Sequence, residues 1–460
     1  MRESVKMREC FLGYSIIIGP GADNYTLQGL SKGTPQPPIH SHARTQNLNL
    51  PSPERLSHEV RPAVFVAGSI AVDFSCDYKP ATSASPKQPM LQTSNPAAIS
   101  QSIGGVGQNV ARAIHLLKVP VRLCTMIGDD LAGQMARIAL DGAKMDTAGV
   151  IEKKASRTSQ YVAVNAADKG LVVAMADMEV MEKGNGNKNE ISQIFENTWL
   201  PELLKYAPKQ LVVDGNWSSN MLHKWLNAAK SIPTTTFFEP VSTAKAVRIF
   251  QRTEQAELGV WPHNTIDVTT PNSYELQAMH AAARETGYLE RDDWWRVVDA
   301  FGIPSTGARV QLALATSPQL VDAGIPQQSI QLLPFIPRVL TKLGSEGVLL
   351  TQIIPAGDPR LTMGEYAPYI ISRCSNDSEE AVKVGGIYMR LLPAAERVLE
   401  EEIVSVNGVG DTFLGAIVAG LAKDPSKNIE DLVGPAQQAA VMTLRSAESV
   451  SPALSGLEWL

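Results

Sequence analysis

The sequence predicts an α/β protein: a central, mostly parallel sheet with helices on both faces, and beside it a small second sheet of the kind that lids a cleft. Three observations carry this expectation. Short apolar runs of strand type alternate with helical patterns along most of the 460 residues, the order that builds parallel sheets. One segment, "TSQYVAVNAADKGLVVAMADME" (158–179), breaks the alternation and reads as two strands around a turn at Asp168–Gly170. Twice, glycines stand directly ahead of an apolar helix pattern, in "SIGGVGQNVARAIHLLK" (102–118) and "NGVGDTFLGAIVAGLA" (407–422), where the spacing of Leu414, Ile417, Val418 and Leu421 predicts one apolar helix face.

Composition narrows the classes. Apolar residues at 44 % and charged residues at 19 % allow a sizeable core. A net charge of −6 gives no reason to expect a nucleic-acid polymer as partner. Cys10, Cys76, Cys124 and Cys374 are far apart, with no C-x-x-C and no H-E-x-x-H, which argues against structural zinc and for a reducing compartment. No run approaches the roughly 20 apolar residues that span a bilayer. "FLGYSIIIG" at 11–19, after Lys6 and Arg8, imitates a secretory signal, but no A-x-A-like cleavage site follows promptly. A cytoplasmic protein without membrane association is expected, with mitochondrial or other targeting by the N-terminal tail left open.

Residues 1–62 read as a flexible tail; from residue 20 it is rich in Pro, Ser, His and Asn without an apolar period. The folded part is expected over 63–455, opening on "AVFVAGSIAVDFSC". Strands follow at 121–128, 210–216, 234–240, 265–272 and 338–344, with helices such as 130–143 and those after the strands at 210 and 265. The lid is expected from strands near 64–74, 91–104 and 158–178. Residues 284–337 and 352–385 read as insertions, the second as a surface excursion.

Ligands in such sheets bind at the carboxyl ends of the strands, so the loops there hold the candidates. In 102–118, Gly104, Gly105 and Gly107 precede a helix; Asn109 is either a plain N-cap or a hydrogen-bonding group for a polar ligand that approaches bare backbone. The stretch is neither a P-loop nor G-x-G-x-x-G. In "TPNSYEL" (270–276), Asn272 and Glu275 have capping-box spacing; alternatively they organise a hydrated magnesium ion, which takes only one or two protein carboxylates. "TKLGSEGVLL" (341–350) reads as a hairpin turn. In 407–422, Asp411 is either an N-cap or a general base. Gly408, Val409 and Gly410 would aim N–H groups at one point, reinforced by the helix dipole. Such a turn suits a phosphate or the charge that develops in phosphoryl transfer, and the carboxylate beside it then suits deprotonation of a hydroxyl.

Taken in order, the strand ending in Asp73, then G-G-x-G-x-N, P-N-x-x-E, T-x-L-G-x-x-G and N-G-x-G-D resemble the PfkB/ribokinase family of sugar and nucleoside kinases, over roughly residues 63 to 455. The resemblance implies a ribokinase-like α/β core with a β-sheet lid, and transfer of the ATP γ-phosphoryl group to a primary hydroxyl. It implies Asp411 as the base and Gly408, Val409 and Gly410 as the anion hole. Asp73, Gly104, Gly105, Gly107 and Asn109 would bind substrate; Asn272, Thr341, Gly344 and Gly347 would serve ATP; Glu275 would serve Mg2+ through water. Many family members carry an Asp–Thr pair just before the glycines that is associated with a monovalent cation; here Ser405 and Val406 stand there, so K+ is left open.

Within the family, the lid phrase together with "VVDGNWS", "FFEPVSTAK", "VSVNGVGDTF" and "AESVSPAL" is similar to the pseudouridine kinase branch. The implied reaction is phosphorylation of the pseudouridine 5′-hydroxyl. The alternatives are a family kinase for ribose, a ketohexose or adenosine, or a catalytically silent binding protein. Related fungal and animal proteins fuse this kinase to a pseudouridine-5′-phosphate glycosidase upstream, for which the first 60 residues leave no room. A functional link to such a glycosidase is expected, as is a homodimer through the lid.

Overall fold

The computed structural model describes residues 61–457 apart from 83–85, 169, 183–187, 254–256, 304–305 and 375–381. The tail expected over 1–62 lies, up to residue 60, outside the described residues.

Fourteen strands form two sheets among the described residues: β1 (Val64–Ala67), β2 (Ala71–Tyr78), β3 (Ala97–Gly104), β4 (Val121–Gly128), β5 (Val150–Lys153), β6 (Gln160–Asn165), β7 (Leu171–Asp177), β8 (Gln210–Asp214), β9 (Thr235–Glu239), β10 (Val268–Thr269), β11 (Arg338–Lys342), β12 (Val348–Pro355), β13 (Ile370–Arg373) and β14 (Val384–Leu392). The large sheet has the order β13-β14-β12-β11-β10-β9-β8-β1-β4-β5. From β11 to β5 every pairing is parallel, whereas β12, β14 and β13 add an antiparallel edge. Central strands such as β4 and β8 are mostly apolar and are buried at every position, because both faces of a parallel sheet are covered.

The helices that cover those faces and hold the site are α1 (Val106–Leu116), α2 (Leu131–Gly142), α3 (Ser219–Ala229), α4 (Ser273–Glu285), α5 (Val409–Lys423) and α6 (Ile429–Leu444). Alternation along β1 shows the two layers. Val64 and Val66 pack with Ile114 of α1, Leu140 of α2, Ile417 of α5 and Leu432 of α6. Phe65 and Ala67 face the other way, toward Leu222 of α3 and Leu276 of α4.

Four expectations need correction. The run 64–74 is two strands, not one lid strand: β1 lies in the large sheet, between β4 and β8, and only β2 joins the lid. The chain leaves the core through Gly68-Ser69-Ile70, where Ser69 donates to Asp214 instead of continuing the ladder. The helix at 409–423 is not one-sided; it is buried almost all round, because it sits between α1 and α6 as well as on the sheet. Residues 284–337 are no peripheral addition, since Trp294, Phe301, Leu312, Phe335 and Ile336 belong to the core on the β1 Phe65 face. Residues 352–385 are not only surface excursion: they contain β13 and the start of β14, at the sheet edge.

The second sheet has the order β3-β2-β6-β7, with β6 parallel to β2 and the outer pairs antiparallel. Its hairpin turns at 166–170, where Ala166 donates to Gly170 O at 2.8 Å. Ile99, Leu171, Val173 and Met175 are exposed on it.

Gly415 lets α5 approach α1 closely: a Cβ there would lie 2.7 Å from Ala113 Cβ. We predict that Gly415→Val forces the helices apart and destabilises the protein by about 1–3 kcal/mol in denaturant unfolding; an unchanged midpoint would mean the helices separate without cost.

Candidate active site

Five strand ends of the large sheet converge on one cleft. Each supplies a polar group: Ser69 just past β1, Asp214 at the end of β8, Glu239 at the end of β9, Thr270 just past β10 and Lys342 at the end of β11. The N-termini of α1 and α5 close over these ends.

Asp214 organises the α1 side. It is 1 % exposed, and its Oδ2 accepts from the Ser69 N–H at 2.8 Å and from the Gly107 N–H at 3.0 Å. Its Oδ1 accepts from the Asn216 N–H at 3.0 Å; Asn216 in turn donates to Ser69 Oγ at 2.9 Å and accepts from Lys245. Burial pushes the Asp214 carboxyl upward, against the N–H groups and Lys245. This contact needs glycine on both sides, since a Cβ on Gly107 would stand 2.5 Å from Gly68 C and one on Gly68 2.5 Å from Asp214 Oδ2. Gly107 is therefore an anchoring position whose N–H is already taken. Gly105 is the N-cap of α1, at φ 90° and ψ 133°; Asn109 is inside the first turn and caps nothing.

Held this way, Asn109 reaches across to the other helix. Its Nδ2 donates to Asp411 Oδ2 at 2.8 Å, while its Oδ1 is buried without a partner among the described residues. Asp411 is the third residue of α5 and not its N-cap, a place taken by Gly408 at φ 72° and ψ 0°. A Cβ on Gly408 would lie 1.8 Å from Ser449 O, so only glycine permits this turn. The N–H groups of Val409, Gly410 and Asp411 have no acceptor within the helix and point out of its N-terminus.

Lys342 lies across the same turn. Its Nζ donates to Glu239 Oε1 at 3.2 Å and would stand 3.0 Å from a Cβ placed on Gly410. Glu239 also accepts from Thr270 Oγ1. Burial works to lower the Lys342 pKa, but the charges of Glu239, Glu275 and Asp411 outweigh it and hold the ammonium above its ordinary range. Glu239 is pushed up by burial, against Lys342. Burial raises Asp411 to about 6, opposed by Asn109 and Lys342. Facing it from the lid, Asp73 is raised to about 7 by burial and then by the Asp411 charge. Gly104 makes room for that carboxylate, since a Cβ there would fall 2.1 Å from Asp73 Oδ2.

The remaining sequence candidates lie beside this group. Asn272 and Glu275 form the complete capping box of α4: Asn272 Oδ1 accepts from the N–H groups of Tyr274 and Glu275 at 3.0 and 2.9 Å, and Glu275 Oε2 accepts from the Asn272 N–H at 2.8 Å. Asn272 bridges Lys342 in the sheet, which puts Glu275 in the Lys342 field. One Glu275 oxygen is thus engaged in the cap, and the nearby ammonium works against direct ligation of a dication, so a magnesium ion would be held by Glu275 only through water. Strand alternation turns Thr341 to the face opposite Lys342, where its buried hydroxyl has no partner among the described residues. Gly344 and Gly347 shape the β11–β12 turn, closed by Leu343 N–H to Gly347 O at 2.8 Å. The turn at Gly344 is open, whereas Gly347 lies hard against Leu392.

The comparisons with known proteins agree with this layout. Residues 64–291 match the pfkB family carbohydrate kinase profile. The chain carries a PfkB family carbohydrate kinase domain. It is similar to a pseudouridine-metabolizing bifunctional protein of Schizosaccharomyces pombe, 27 % identical over 86 % of this chain and 48 % of that protein. It is also similar to the pseudouridine kinase of Escherichia coli, 25 % identical over 45 % of this chain and 63 % of that one. The chain thus spans about half to under two thirds of these relatives' lengths. The fold of the PfkB domain is ribokinase-like: an Arabidopsis thaliana ribokinase complexed with ribose and ATP superposes with a TM-score of 0.55 over 86 % of this chain and 97 % of that one, at 14 % identity.

Sequence reasoning missed Asp214, Glu239 and Lys342. A signal was present: each is a charged residue ending a buried strand run, in "QLVVD", "TTFFE" and "RVLTK", and it points to the end of the sheet where ligands bind.

The pH dependence of stability follows from Asp411. Its folded pKa of about 6 lies above the ordinary carboxylate value, so the native state binds the proton more tightly than the unfolded chain. The group costs no stability below about pH 4, and stability falls as pH rises through 4 to 6. We predict that Asp411→Asn is more stable than wild type at pH 7, on the order of 2 kcal/mol by denaturant unfolding, with the advantage gone by pH 4. A pH-independent difference would mean that Asp411 is not held protonated by burial.

Proposed function

We propose that this chain is an ATP-dependent kinase that phosphorylates the 5′-hydroxyl of pseudouridine. The observation that carries the kinase reading is the buried Asp411 carboxylate, fixed by Asn109 at a helix N-terminus and flanked by Lys342. A carboxylate with a pKa of about 6 is mostly ionised at neutral pH yet basic enough to take a hydroxyl proton. Asp411 would accept that proton as the 5′-oxygen bonds to the γ-phosphorus; the bond to the bridging oxygen breaks and ADP departs. The Val409 and Gly410 N–H groups, with the Lys342 ammonium beside them, would bear the charge on the transferring group. Asp73 and Asn109 lie where substrate hydroxyls would bind; Asn272, Thr341, Gly344 and Gly347 flank the nucleotide side. Glu275 would hold Mg2+ through water, and the ion would neutralise phosphate charge. No monovalent-cation site is proposed at Ser405 and Val406.

Pseudouridine as substrate rests on the two relatives and on the local phrases they resemble. A partner activity follows from the same likeness: a pseudouridine-5′-phosphate glycosidase would consume the product. We also propose dimerisation through the lid, whose exposed Ile99, Leu171, Val173 and Met175 suit a second copy. No helix among the described residues is long and apolar enough to cross a membrane, in keeping with work in the cytoplasm.

The deciding experiment is phosphate transfer from Mg-ATP to pseudouridine, run beside uridine, adenosine, ribose and fructose. Turnover of pseudouridine above the others is expected; turnover of ribose, fructose or adenosine instead would move the substrate within the family. Asp411→Asn should lower kcat about 10²–10⁴-fold, and Lys342→Met about 10²-fold, with folding checked by circular dichroism. Near wild-type kcat in Asp411→Asn would remove the carboxylate from the base role.

A further inference from the structure

At the other end of the large sheet, about 13 Å down β11 from Lys342 at strand rise, lies a cavity of about 170 Å³ that the catalytic reading does not use. It is several times the ~30 Å³ share of one water. Its polar wall includes Gln210, Arg338, Gln352, Arg360, Lys427 and Asn428, with three cations and no carboxylate among the lining residues.

The cations are not equivalent. Arg360 is paired, with Asp358 at 2.7 Å and Glu430 at 3.1 Å. Arg338 is not. Among the described residues its guanidinium makes no hydrogen bond and no ion pair, although Asp267 and Glu430 are close enough to act on its charge. Both carboxylates are committed elsewhere: Asp267 accepts from Thr236 and Asn264, and Glu430 from Arg360 and Gln352. Five N–H donors on a planar fork are therefore left facing the cavity.

Two further features converge on the same space. The 16-residue helix α6 starts there, and its N-cap Asn428 makes no side-chain capping bond. The Asp431 N–H is taken by Asn428 O, which leaves the N–H groups of Ile429 and Glu430 without an acceptor within the helix, although Glu430 and Asp431 put two carboxylates in the same turn. Gln210, only 3 % exposed, has a buried Oε1 without a partner among the described residues. The wall thus offers the unpaired N–H donors of Arg338 together with one unused acceptor. A tetrahedral oxyanion that also carries an O–H satisfies both, which describes a hydrogen phosphate better than a sulfate.

We propose that this cavity binds a phosphate group, as inorganic phosphate or as the phosphate of a small monoester. The site is placed to influence catalysis, because β11 carries Arg338 at one end and Lys342 at the other, and α5 lines the cavity with Leu421 and the cleft with Asp411.

The test is calorimetric titration of the full chain with inorganic phosphate and, separately, with ribose 5-phosphate, at constant ionic strength set with chloride. Saturable binding of either probe is expected, weakened at least tenfold by Arg338→Gln and by Lys427→Gln. Arg338 is largely buried, so Lys427→Gln, nearer the surface, keeps the test valid should the first variant fold poorly. Inorganic phosphate alone saturating the site identifies the free anion; ribose 5-phosphate alone identifies an ester. Absence of saturable binding for both overturns the proposal. So does binding that survives both substitutions, which would place the phosphate at the Gly408–Gly410 turn instead.

Discussion

One ammonium holds the cleft together. Lys342 stands among Glu239, Glu275 and Asp411, three carboxylates that are each at most 9 % exposed. Without a cation among them, burial and mutual repulsion would drive their protons on and loosen the strand ends that carry them. The position of Lys342 is in turn a matter of register. It ends β11, pairs with Val348 across the hairpin and with Asn272 at the head of α4, so its side chain emerges between β10 and α5. Gly410 is the residue that allows the approach.

A second constraint works from the opposite side. Asp214, Gly68 and Gly107 lock the N-terminus of α1 onto β1, and the Asn109–Asp411 bond then ties α1 to α5. Both helices are thereby aimed at one point, with Asp411 between them. The lid is coupled to the same place, because β2 follows β1 after only three residues and carries Asp73 over the cleft. The Asp411 charge adds to burial in raising the proton affinity of the Asp73 carboxyl, and Asp411 is itself raised by burial, so substrate hydroxyls would meet a pair of groups poised near neutral pH.

Much of this was legible from the chain alone. Alternating apolar runs marked β4, β8, β9 and β11 and the helices after them, since a buried parallel strand must be apolar on both faces. The segment 158–179 was read as a hairpin from its period of two, and Gly408 as a turn glycine from its place before a helix. The β1–β2 boundary is not legible: 64–74 is strand-like and apolar apart from Ser69 and Asp73, and the change of sheet at Gly68–Ile70 follows from the Ser69–Asp214 contact, 145 residues apart in sequence. The core role of 284–337 was hidden for a related reason, as short helical pieces broken by proline show no long period until the sheet supplies their partner.

The sequence by itself determined the α/β class, the lid hairpin and the identity of the groups at the helix N-termini, because those depend on local periodicity and on glycine's access to positive φ. Only the tertiary structure decided what these groups do to one another. That Asn109 binds Asp411 and does not cap its own helix, that Gly107 gives its N–H to Asp214, and that Lys342 lies over Gly410 are all contacts between strand ends and helix starts far apart in the chain. Their strength comes from burial, and burial belongs to the packed molecule.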